Sequence, residues 1–308
     1  MNPDSLKIGV IGAGVFGNYH AAKCKAHPRL DFIGIFDPDD DRVREVAKRH
    51  ETQAYTNCNG LIAQSDALIV ASPAEHHGPI ALACLRAGRH VFVEKPIAAD
   101  LESATTMVRL AAEQNVVLQI DHQERFVANA IGLDTAPETP THIQAVRYGP
   151  KSERGTDVSV TLDLMTHDLD MVMWLMGGRP TRIEGEAVRV YSKHPDAARA
   201  DLRFANGATA RLEASRCESG PERQMHIQYP SGKLSIDFVA KTFKDDTGFG
   251  FNPDFTNDPR AKDSLGAAVD AFARSVLDGA PVVVSGEAGR DALEMALHID
   301  GRLKHEIA

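Results

Sequence analysis

Between Lys7 and Asp121, short and almost wholly apolar runs alternate with longer stretches in which apolar residues recur at helical spacing. Runs with no polar face mark strands covered on both sides, as in a parallel sheet. They lie at Lys7 to Ile11, Phe32 to Phe36, Gln53 to Tyr55, Ala67 to Ala71, Val91 to Val93 and Val116 to Asp121. The helical stretches are Asn18 to Ala26, Asp41 to His50, Gly78 to Ala87, which Gly88 ends, and Leu101 to Gln114. Strand and helix in alternation predict a doubly wound α/β domain over residues 1–121.

The pattern changes at Thr141. Strands with alternating polar and apolar positions follow at His142 to Tyr148, Arg182 to Tyr191, Ala198 to Phe204, Ala208 to Ser215, Gln224 to Tyr229 and Lys233 to Phe238. Asn206-Gly207 and Ser231-Gly232 join neighbours in hairpin fashion. These strands predict a second, α+β domain over residues 122–308, built on a largely antiparallel open sheet. A helix at Val160 to Met176 interrupts it, and helices at Ser264 to Asp278 and Ala288 to Lys304 close the chain, the last able to pack back on the first domain. Lys241 to Lys262, rich in Asp, Gly, Asn and Pro, reads as a long loop.

Candidate chemistry gathers at three points. The first is Gly12-Ala13-Gly14-Val15-Phe16-Gly17, directly after the first strand and opening the first helix. In this setting Gly12 permits the tight turn, Gly14 lets a pyrophosphate approach the backbone, and Gly17 lets the helix pack close to the strand, which is the Rossmann fingerprint for a dinucleotide. Asp37 ends the second strand about twenty residues later. Its carboxylate can accept hydrogen bonds from the adenosine ribose and repel a 2′-phosphate, so NAD is favoured over NADP. The alternatives are that Asp37 only opens an Asp-Pro turn, and that Arg42 serves a 2′-phosphate.

The second point is Lys95, which stands where a buried strand stops, at the edge where open α/β sheets hold their ligands. The third is the helix Val160 to Met176. Met165, Leu169, Val172, Met173 and Met176 form an apolar stripe, and Asp163, His167 and Asp170 fall on the nearly opposite face. An imidazole with a carboxylate one turn away on each side is an oriented acid/base with a raised affinity for its proton. A solvated face with an incidental histidine, or a metal site from the same side chains, would use the same residues.

Composition narrows the range of partners. The 34 Lys and Arg against 43 Asp and Glu leave a net charge of −9, which argues against nucleic acid or an anionic membrane and obliges an anionic substrate to find a local basic pocket. Cys24, Cys58, Cys84 and Cys217 show no CxxC spacing, so neither a zinc site nor a disulfide framework is indicated. No run resembles a secretory signal or a membrane span, and a cytoplasmic protein is expected.

The chain carries GAGVFG at 12–17, SPAEHH at 72–77, AGRHVFVEKP at 87–96 and DLMTHDLD at 163–170. In that order it resembles the Gfo/Idh/MocA family of sugar oxidoreductases, from Lys7 to Lys304. The resemblance implies an NAD-dependent enzyme that moves a hydride between a sugar carbinol carbon and nicotinamide, with Lys95, Asp163 and His167 as the catalytic group. It makes Ser72, Pro73, His77 and Glu94 cofactor contacts beside the glycine turn, and it requires no metal. The runs at 157–170 and HQERF at 122–126 look most like the branch that oxidises UDP-N-acetylglucosamine at C3, which includes enzymes of lipid A precursor synthesis. Val127 and Ala128 stand where that branch carries asparagine and proline. His122, Arg125 and Asp168 are then substrate contacts. Guanidinium groups bind phosphate oxygens in bidentate fashion, so Arg125, Arg147, Arg154 and Arg216 are candidates to hold a diphosphate, Arg125 first because it follows the last strand of the nucleotide domain. The alternatives are a free polyol or inositol dehydrogenase and a non-catalytic NAD(H)- or sugar-sensing regulator. A homodimer or homotetramer is expected from the same resemblance.

Overall fold

Because nearly every strand of the first sheet is followed by a crossover helix, the sheet can be wholly parallel. A computed structural model describes residues 5–152 and 155–303. Strands β1 (Leu6–Ile11), β2 (Leu30–Phe36), β3 (Gln53–Tyr55), β4 (Ala67–Val70), β5 (His90–Glu94) and β6 (Leu118–Asp121) lie in the order β3-β2-β1-β4-β5-β6, each parallel to its neighbours. Helices α1 (Val15–Ala26), α2 (Asp40–Arg49), α3 (Cys58–Gln64), α4 (Ala74–Arg86) and α5 (Leu101–Gln114) connect them. Ile8, Val10, Leu68, Ile69, Val91, Phe92 and Val93 are fully buried, which is why these runs show no polar alternation. The strand order reverses between β1 and β4, and a doubly wound sheet binds its ligand beyond the strand ends at such a point.

Two helices here escape the sequence pattern. Helix α4 begins at Ala74 rather than Gly78, because Pro79 is tolerated inside it and Pro73 caps it. Gly78 is used for close packing: a Cβ there would stand 2.9 Å from the Ser103 Cβ. Helix α3 opens with Cys58-Asn59-Gly60, a turn-like run, under the side chain of Asn57, which accepts from Asn59 N–H at 2.9 Å.

The second sheet comprises β7 (His142–Tyr148), β8 (Arg182–Val188), β9 (Ala197–Arg203), β10 (Thr209–Ser215), β11 (Glu222–Tyr229), β12 (Gly232–Asp237) and β13 (Thr242–Asp245), ordered β13-β12-β11-β7-β10-β9-β8. Only β7 and β10 run parallel; the other neighbours are antiparallel. One face buries Ile143, Ala145 and Arg147 of β7, Ala210, Leu212 and Ala214 of β10, and Met225 and Ile227 of β11. Helices α6 (Glu124–Ile131) and α7 (Thr166–Met176) are built on this sheet, with α7 against β10 and α6 against α7. The stretch expected as a long loop instead carries the edge strand β13 and the short helix α8 (Pro259–Lys262), each too brief to leave a periodic pattern.

The chain divides into two compact units. The first is the chain up to Gln123 together with Asp263–Arg290; the second is Glu124–Lys262 together with the chain from Asp291. The domain expected to run unbroken from residue 122 is therefore interrupted. The returning segment brings α9 (Ser264–Asp278) to the first unit, where the Phe272 ring lies 5.5 Å from that of Phe92 and Gln119 donates to the Ala268 carbonyl at 2.9 Å. Helix α10 (Gly286–Ile299) follows, and the expected end of this helix at Lys304 lies outside the described residues. No helix among the described residues is long and apolar enough to cross a membrane.

Candidate active site

At the end of β1 the chain turns through Gly12 at a φ of +105°, where a Cβ would meet the Ala71 carbonyl oxygen at 2.5 Å. A Cβ on Gly17 would collide with the Gly12 carbonyl oxygen. These two glycines are demanded by the protein itself. Gly14 is not: a Cβ there would meet nothing within 4 Å. The open space lies at the start of α1, which has no side-chain cap over its first N–H groups, and Val15 beside it is 53% exposed. A helix N-terminus with no side-chain cap and an unobstructed glycine fits a dinucleotide pyrophosphate. Gly14→Val is expected to weaken NAD binding by about tenfold or more with little change in stability, whereas Gly17→Val is expected to cost ~4 kcal/mol or more of stability. Calorimetric titration and denaturant unfolding separate the two; equal loss of stability in both would refute the distinction.

Asp37 is buried at the end of β2, where its carboxylate accepts from the N–H of Ala13 at 2.7 Å and of Asp39 at 2.9 Å. Arg42 is drawn onto Asp37 at 3.3 Å and onto Asp39 at 2.9 Å. Ser72 is half-buried and Pro73 exposed just beyond β4. His77, expected as a cofactor contact, is buried, with Nδ1 2.7 Å from the Pro96 carbonyl and Nε2 2.8 Å from the Ser72 carbonyl. It ties the turn after β4 to the turn after β5.

Lys95 is half-buried immediately past β5. Glu94, expected as a cofactor contact, is buried at the end of β5. Its Oε1 lies 2.8 Å from His20 Nε2, and Asp121 Oδ2 lies 3.7 Å from the same nitrogen. All three are buried, and Glu94 and Asp121 are register partners on β5 and β6. Burial, then the charge of Glu94, pushes the Asp121 carboxyl well above its usual range, and burial pushes the His20 imidazole down. One ligating atom from each lies within 4.8 Å of the others, the spacing of a three-ligand metal site. His20, Glu94 and Asp121 thus form a buried polar cluster at the strand end that carries Lys95.

In the second unit, the helix holding the third candidate site starts irregularly. A π-turn spans Thr161–Met165, with Thr166 N–H bonding the Thr161 carbonyl five residues back, and α7 continues from it. Asp300 holds this start by accepting from the hydroxyls of Ser159 and Thr161, both at 2.5 Å. Such π-turns are frequent at functional sites. Asp163 and His167, on either side of the junction, are half-buried, while Asp168, Leu169, Asp170, Met171, Val172 and Met173 are all buried.

The polar face predicted for this helix is therefore not a solvated one. Asp170 does not flank His167; it receives Arg125 in a bidentate pair, Nε and Nη2 each at 2.7 Å, with the guanidinium 4.9 Å from the Trp174 ring centre. Asp168 receives Arg147 in a second bidentate pair at 2.9 Å, and Arg147 also donates to Glu124 at 2.7 Å. The carboxylate beside His167 is Glu124, with Oε2 3.5 Å from Nδ1. Burial alone would raise the Glu124 pKa, but the charges of His167 and Arg147 outweigh it and hold the group well below the usual carboxylate range. Burial raises that of Asp168 against the pull of Arg147. Glu124 is the site residue missed in the sequence, although it stands inside the HQERF run.

The arginines expected at a diphosphate have other partners. Arg125 and Arg147 are internal, and Arg216 pairs with Asp196 at 2.9 Å while donating to the Gly155 and Val158 carbonyls. Arg216 thereby holds the segment leading into the π-turn, where Asp163 packs over Gly155. Arg154 lies outside the described residues. Asp168 and His122, expected at the substrate, are likewise buried.

Residues 6–122 match the model of an oxidoreductase family with an NAD-binding Rossmann fold, and residues 139–235 match that of the GFO/IDH/MocA C-terminal domain. The chain is 32% identical over 302 residues to a UDP-N-acetylglucosamine 3-dehydrogenase from Acidithiobacillus ferrooxidans, covering 96% of each chain. A crystal form of that enzyme superposes with a TM-score of 0.88 at 30% identity, over 97% of this chain and 98% of the other. A myo-inositol 2-dehydrogenase from Thermotoga maritima is 28% identical over 313 residues, with 94% of this chain and 93% of that one covered.

Proposed function

Starting from the fact that this chain belongs to the Gfo/Idh/MocA family of NAD(P)-dependent dehydrogenases acting on a sugar CH–OH, we propose that it oxidises C3 of a UDP-N-acetylhexosamine with NAD. The observation that carries the catalytic reading is the Glu124 carboxylate held 3.5 Å from His167 Nδ1, on a half-buried face of α7. Bound NAD supplies the hydride acceptor. His167 takes the proton of the reacting hydroxyl through Nε2, since the Nδ1 side faces Glu124. Lys95 hydrogen-bonds the same oxygen and stabilises the negative charge that develops there. Asp163, one turn before His167, orients the ring with Glu124. For the cofactor, the Asp37 carboxylate retains lone pairs for the ribose hydroxyls, and Arg42, already held by Asp37 and Asp39, is poorly disposed to a 2′-phosphate.

One observation favours a second reading, a free polyol dehydrogenase. Arg125, Arg147 and Arg216 are all engaged internally, and a polyol needs no diphosphate site. The two are separated by incubating the protein with NAD and a panel of UDP-sugars and inositols, following NADH absorbance and the keto product by mass spectrometry. The proposal expects turnover of UDP-N-acetylglucosamine or an epimer. Turnover of inositols alone would move the assignment to the polyol.

A further inference from the structure

A nucleotide-sugar enzyme of net charge −9 needs a cation at its substrate, and the arginines that sequence order suggested are occupied or outside the described residues. A different arginine meets the requirement. Arg223 lies on β11 directly opposite Arg147 of β7. Directly opposed residues share a face of the sheet with Cβ atoms about 5 Å apart. The next positions on that face are Met225 and Ile227, opposite Ala145 and Ile143, and all four are buried. Arg223 thus continues the face on which α6 and α7 are built, yet it is itself exposed.

The two arginines differ in their partners. Arg147 is neutralised by bonds to Asp168 and Glu124. Among the described residues, no carboxylate lies within ion-pair distance of Arg223, and its charge is felt by Glu124 and Asp168 only at longer range. An exposed guanidinium thus stands across the ladder from Arg147, which bonds the carboxylate beside His167, with five N–H donors available. An arriving anion would give Arg223 the paired acceptor that Arg147 already has.

We infer that Arg223 receives the diphosphate of the substrate and selects nucleotide sugars over free polyols. The inference rests on the nucleotide-sugar reading of the same site. Its test is calorimetric titration of the whole protein with UDP and, separately, with NAD, in the parent and in Arg223→Ala, Arg223→Lys and Arg211→Ala. Arg211 pairs with Asp201 on the opposite face of the sheet, so Arg211→Ala removes an equal charge elsewhere. Arg223→Ala is expected to weaken UDP binding by about tenfold to a hundredfold, Arg223→Lys by less, and Arg211→Ala by under about twofold, with NAD affinity unchanged throughout. Parent-like UDP binding by Arg223→Ala overturns the inference and leaves the nucleotide-sugar reading standing. Loss of NAD rather than UDP affinity also overturns it, by assigning Arg223 to the cofactor. A parent that binds an inositol but no UDP overturns the inference together with that reading.

Discussion

Turnover falls by about 10²-fold or more in both Lys95→Ala and His167→Ala when steady-state rates are compared with the parent, because each removes a group that serves the reacting oxygen in the transition state. NAD affinity in His167→Ala stays near that of the parent, since no role toward the nucleotide is assigned to this ring. Glu124→Gln isolates the positioning role. It leaves the imidazole in place but removes the charge 3.5 Å from Nδ1. A carboxylate at that distance favours the imidazolium, so its loss lowers the pKa of the base and moves the acidic limb of the kcat/KM profile to lower pH. Rates within a few-fold of the parent in both alanine variants would contradict the assignment.

A large effect on stability is also expected at Arg125. Its guanidinium and the carboxylate of Asp170 are both buried and joined by two bonds of 2.7 Å. Removing one partner leaves the other as an uncompensated buried charge, so Arg125→Ala and Asp170→Ala are each expected to lose ~3–5 kcal/mol in denaturant unfolding. The double variant Arg125→Met with Asp170→Leu is expected to recover much of that loss, because no buried charge then remains. A parent-like unfolding midpoint in Arg125→Ala, combined with lost UDP affinity, would restore Arg125 to the substrate.

The contrast between Arg125 and Lys95 indicates what the chain reveals before folding. Lys95 was legible because its position depends on its own strand: a run of buried residues ends beside it, and strand ends of a parallel sheet face the ligand. The glycine turn was legible for the same reason, and the structure adds which glycine faces open space. Arg125 and Asp170 lie 45 positions apart, and Arg147 and Asp168 lie 21 apart. Nothing in helical spacing reports such pairs, so spacing alone reads Asp170 as flanking His167, whereas the charges of this helix face are matched from α6 and β7. Helix α9 was legible as a helix, but its membership of the first unit depends on contacts such as Phe92 with Phe272, which no local pattern encodes. Glu124 was hidden because it sits in a motif-like run with no carboxylate spacing to mark it.

The central claim, hydride removal from C3 of a UDP-N-acetylhexosamine, is tested most directly with UDP-N-acetylglucosamine carrying deuterium at C3, or its C3-labelled epimer, incubated with NAD and the intact protein. Mass spectrometry of the recovered nicotinamide cofactor and of the sugar reads the outcome. The proposed chemistry requires deuterium at nicotinamide C4, with a 3-keto sugar formed in equal amount. Cofactor reduced only in the presence of a free inositol, with deuterium retained at C3 of both UDP-sugars, would contradict it.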